Sequence, residues 1–84
     1  HCELWNLYGR CLFLKGETLA SLICFRCAVA LHKSNEYVLT NLAIVYHKLG
    51  CANLGYGYAT FILGVGKSDW CMRQSREILC VDKK

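Results

Sequence analysis

Slid along itself by thirty-four residues, the chain falls on its own pattern. Gly16 lands on Gly50, Lys33 on Lys67, Ser34 on Ser68 and Asn35 on Asp69, while Gly9 meets Ala43, Leu12 meets Tyr46 and Ala28 meets Ile62. A period of this length belongs to stacked supersecondary units, each with an apolar face that a neighbouring unit covers. That constraint leaves few folds open to the 84 residues.

Within each period the apolar spacing is helical. Leu4, Trp5, Tyr8, Cys11 and Leu12 recur at intervals of three and four and predict a helix over 4–14, stopped by Gly16. Leu22, Phe25, Ala28 and Val29 predict a second over 18–31, with His32 and Lys33 at its end where cations suit the dipole. Asn35 is placed to cap a third, with Glu36 in its first turn, which carries Val38, Leu39, Leu42, Ala43, Tyr46 and Leu49 up to Gly50. A glycine-rich apolar run predicts a fourth over 53–63, and Asp69 is placed to cap a fifth over 70–81. No segment alternates as a strand does, and proline is absent. The expected fold is all-α: a superhelix of two helix-turn-helix repeats, about 2–35 and 36–69, with a terminal capping helix over 70–81, in one domain.

Composition narrows the function. Apolar residues make up 55% of the chain and charged residues 19%, too apolar a balance for disorder. The net charge of +4 is mild and scattered; Arg73, Arg76, Lys83 and Lys84 are expected to be a solvated helix face and a tail, not a nucleic-acid surface. Residues 49–66 carry no formal charge, but five glycines, Asn53 and Thr60 lie among them, which argues against a membrane span. The start, His1-Cys2-Glu3, suggests an excised or processed chain.

Seven cysteines, an odd number set among apolar residues as in "LICFRCAVAL", fit reduced, buried thiols and a cytoplasmic location. The alternative is a metal-binding or redox protein built on the C-x-x-C of Cys24 and Cys27, with His47 and Cys51 as further ligands. A redox pair belongs at a helix start after a strand, whereas this one lies inside a helical stretch. "GVGKS" at 64–68 resembles the end of a phosphate-binding loop, but G-x-x-x-x-G-K-[ST] requires glycine at 61, where Phe61 stands. "HKSN" at 32–35 and "GKSD" at 66–69 are instead expected to be one feature of two repeats, a helix end followed by a cap.

With Trp5, Tyr8, Gly9 and Leu12 on its first helix and Ser21, Phe25 and Ala28 on its second, the first unit resembles the tetratricopeptide repeat family. Leu39, Leu42, Ala43 and Tyr46, then Gly55, Ala59 and Ile62, stand at the matching places of the second unit. The likeness covers about residues 2–69; the family's proline at the repeat end is Lys in both copies, and Gly57, Gly64 and Gly66 loosen the fourth helix.

That resemblance implies a scaffold, not an enzyme, which holds a peptide or partner helix, acidic partners included, in the concave groove of its first helices. The implied lining is Asn6, Arg10, Phe13, Tyr37, Thr40, Asn41, Ile44, His47 and Lys48. Of the clamp with which some members grip chaperone C-termini, only Asn41 is matched; Cys71 and Ser75 occupy two of its basic positions. Self-association, or neighbouring repeats of a larger protein, is a further expectation, because two repeats leave apolar surface uncovered. No cofactor is implied. The histidines are scattered and no carboxylates pair, so no nucleophile stands beside a base.

Overall fold

Gly16 and Gly50 set the architecture. Both adopt left-handed backbone, with φ of +89° and +84°, where a side chain would be strained. Around Gly16 the amide of Glu17 bonds the carbonyl of Leu12 at 2.9 Å and that of Gly16 bonds Phe13 at 3.0 Å. Around Gly50 the amides of Cys51 and Gly50 bond the carbonyls of Tyr46 and His47 in the same way. This paired closure satisfies the last carbonyls of a helix and turns the chain back. It makes two helical hairpins, thirty-four residues apart.

The computed structural model describes residues 1–81, and Lys83 and Lys84 of the expected basic tail lie outside them. Among the described residues there are five helices and no strand: α1 (Cys2–Leu14), α2 (Thr18–Leu31), α3 (Glu36–Lys48), α4 (Ala52–Val65) and α5 (Asp69–Val81). The fold is all-α, a pair of helix-turn-helix repeats followed by one more helix. The first and fourth helices run longer than the spacing predicts. α4 keeps its helix through Gly55, Gly57 and Gly64; Gly55 faces the α3 backbone, where a Cβ would stand 3.3 Å from the Ala43 carbonyl, whereas Gly57 and Gly64 face open space. None of the described helices is long and apolar enough to cross a membrane.

The two links between hairpins differ. Asn35 caps α3, its side-chain oxygen accepting from the amides of Tyr37 at 3.0 Å and Val38 at 3.2 Å. The cap of α5 is Ser68 rather than Asp69: Ser68 Oγ accepts from the Cys71 amide at 3.4 Å, and Asp69 is already helical. Four residues therefore join α2 to α3 and three join α4 to α5. "HKSN" and "GKSD" are not equivalent, and the step from α3 to α5 is thirty-three residues.

With that step, Val38, Leu42 and Val45 on α3 correspond to Cys71, Ser75 and Ile78 on α5, and all six are buried. The first set packs on α2 around Phe25 and Ala28, joined by Leu39 and Ile62; Ile78 clusters with Ala43 and Ala59. On α1 the corresponding residues are Leu4, Tyr8 and Cys11. Among the described residues these are left largely uncovered: Leu4 is 63% exposed and Tyr8 56%. Gly9, by contrast, is buried against the ring of Phe25 and lets α1 and α2 close.

Candidate functional site

The first helices of the units, α1, α3 and α5, share one face of the molecule, and three adjoining depressions run along it. The largest, about 630 Å³, lies between the outer side of α1 and the start of α3, with Asn6, Arg10 and Tyr37 among its walls. A narrower one of about 190 Å³ descends between Arg10, Phe13, Asn41, Ile44, Trp70 and Gln74 to the core residues Phe25 and Val45. A third, about 340 Å³, holds Phe13, Ile44, His47, Lys48 and Glu77. Eight of the nine expected lining residues thus border one trough.

Thr40 is the exception. It is fully buried, because its hydroxyl donates to the Glu36 carbonyl one turn back at 2.7 Å and faces Cys71 on α5. Asn41 borders the trough from beneath its surface: buried, it donates through Nδ2 to Asn6 Oδ1 at 2.8 Å, joining α1 to α3. Both amides are therefore partly spent on each other.

Two cations are anchored on aromatic rings. The Arg10 guanidinium sits 5.1 Å from the centroid of Trp70, which stacks on Tyr37 at 6.4 Å. Lys48 Nζ lies 5.9 Å from the Phe13 centroid. Such contacts contribute about 0.5–1 kcal/mol at exposed sites and fix where the charge stands. Among the described residues neither cation has a carboxylate partner.

On α5, Trp70, Gln74 and Glu77 are lining residues that sequence reasoning missed, as are Glu3, Leu7, Cys11 and Leu14 on α1. On the thirty-three-residue step Trp70 corresponds to Tyr37 and Gln74 to Asn41, so the signal was present. The thirty-four-residue step selects Cys71 and Ser75 instead, and both are buried inside the fold.

Glu36 ties the second unit to α5. One of its oxygens accepts from the amides of Lys67 at 2.8 Å and Ser68 at 3.1 Å. The Ser68 amide first, and then that of Lys67, hold the carboxyl below its usual range. Of the seven cysteines, expected to be buried, only Cys24 and Cys71 are, while Cys11, Cys51 and Cys80 are exposed; burial, with Cys27 close by, pushes the Cys24 thiol up. Among the described residues no three His, Cys, Asp or Glu side chains converge to hold a metal ion, so Cys24, Cys27, His47 and Cys51 form no such group.

No family model, curated protein or solved structure matches the chain.

Proposed function

We propose that the chain is a non-enzymatic, tetratricopeptide-like module that holds an extended peptide or a partner helix along the trough of α1, α3 and α5. One observation carries the reading: eight residues selected for a groove border one continuous trough, and among the described residues its two anchored cations form no ion pair. Apolar walls with a few fixed polar groups are the usual form of a peptide seat. The cations favour an acidic partner.

Selection of displayed random peptides on the immobilised chain tests this, with an Arg10→Ala, Lys48→Ala double variant as the counter-surface. The expected result is a set of acidic peptides that the double variant does not retain. Peptides held equally by both surfaces, or no enrichment at all, would overturn the proposal.

A further inference from the structure

The narrow central pocket has a composition of its own. Phe13 and Ile44 give it apolar walls, and the buried core residues Phe25 and Val45 lie beneath them. Its rim carries Arg10 and Gln74, with Asn41 buried beneath them, and no carboxylate borders it. The flanking depressions, in contrast, each include a carboxylate, Glu77 near Lys48 and Glu3 on the outer side of Arg10. At about 190 Å³ the pocket matches roughly six water volumes of about 30 Å³ each, room for one bulky aliphatic or aromatic side chain. Water against such walls is poorly partnered, and an apolar group displaces it favourably.

We infer that the pocket selects a two-residue signature: a bulky apolar side chain seated against Phe13 and Ile44, above the core residues Phe25 and Val45, with an adjacent Asp or Glu paired to Arg10. The inference rests on the reading of the trough as a peptide seat. Charge complementarity assigns the acidic residue to Arg10, since Trp70 holds that guanidinium at the pocket mouth and leaves its N–H edge free for a carboxylate. The trough continues past the pocket in both directions, into the 630 Å³ and 340 Å³ depressions. The segment it takes is therefore an internal stretch of a partner and does not need a chain end. Gln74 stands at the rim as a donor and acceptor for the partner's backbone.

The test uses four synthetic peptide pools, each with mixed residues flanking a fixed central pair: Asp-Leu, Lys-Leu, Asp-Gly and Asp-Leu ending in a free carboxylate. Binding to the full chain is read by anisotropy of a labelled peptide. The internal Asp-Leu pool is expected to bind roughly tenfold or more tightly than Asp-Gly, the effect of burying one large side chain. It should also exceed Lys-Leu by roughly tenfold, since Arg10 would face a like charge. Arg10→Gln should abolish the preference for Asp over Lys while keeping Leu over Gly. Ile44→Phe, which fills the pocket, should do the reverse, and Ile44→Ala should move the preference from Leu toward Phe.

Equal binding of all pools, lost in the Arg10→Ala, Lys48→Ala variant, would overturn the pocket inference and leave the trough reading standing. A requirement for the free carboxylate would overturn the internal-segment assignment. No binding by any pool would overturn inference and trough reading together.

Discussion

Replacing Gly9 by Ala tests how the first hairpin closes. A Cβ built on Gly9 would stand 2.7, 2.9 and 3.0 Å from three atoms of the Phe25 ring. Phe25 is 1% exposed and sits at the centre of the core, so the ring has no free end to move. Overpacking of this kind destabilises by about 1–3 kcal/mol, and three short contacts on a stiff ring place it in the upper half of that range. Alanine recovers about 1 kcal/mol of helix propensity, leaving a net loss of about 1–2 kcal/mol. For a domain of this size that lowers Tm by roughly 5–15 °C. Gly57→Ala is the matched control, because it lies inside α4 and its Cβ would meet nothing within 4 Å; it should stabilise by about 0.5–1 kcal/mol. Urea unfolding followed by far-UV circular dichroism measures both, and a Gly9→Ala, Phe25→Leu double variant should recover about 1 kcal/mol or more of coupling energy. Gly9→Ala stabilising as Gly57→Ala does, with no coupling to Phe25, would refute the packing of α1 on α2.

Other expectations follow from single contacts. Glu36→Ala removes the acceptor of two amides and should cost about 1.5–3 kcal/mol in urea unfolding. Because Ser68 and Lys67 hold the folded carboxyl below its ordinary 4.5, its contribution is present above that pH. It is lost as pH falls through the lower folded value, and Glu36→Gln should flatten this part of an acid titration. Ser75 Oγ is buried without a hydrogen-bond partner among the described residues, so Ser75→Ala should raise stability by about 1 kcal/mol. In thiol labelling, the exposed Cys11, Cys51 and Cys80 should react well ahead of Cys24 and Cys71, whose thiols burial pushes above 9.0. Folding keeps those two protons while the unfolded chain releases them, so the buried thiols' contribution is intact below pH 9.0 and disappears at higher pH.

Local rules made the hairpins legible. Glycine after a periodic run turned the chain at Gly16 and Gly50, and Asn35 capped α3 as its type suggests. A missing residue in the second link was harder to see, because Ser68 and Asp69 are both good caps and only packing decides between them. That one-residue choice moves Trp70 into the trough and Cys71 and Ser75 out of it. Thr40 escaped for a different reason: a threonine inside a helix can bond its own preceding turn, and spacing alone does not reveal it. Periodicity also marked Leu4 and Tyr8 as one apolar stripe without showing that it is left largely uncovered among the described residues.

Every other helix touches α3, whereas α1 leans almost wholly on α2. Rigidity is therefore graded, as in an arch whose middle stone is gripped on all sides while its outermost stone rests on a single neighbour. Opening begins at the chain's first helix and reaches the middle one last. The wall of the trough that Arg10 provides belongs to that loosest stone, so the trough can widen without dissolving the centre of the fold.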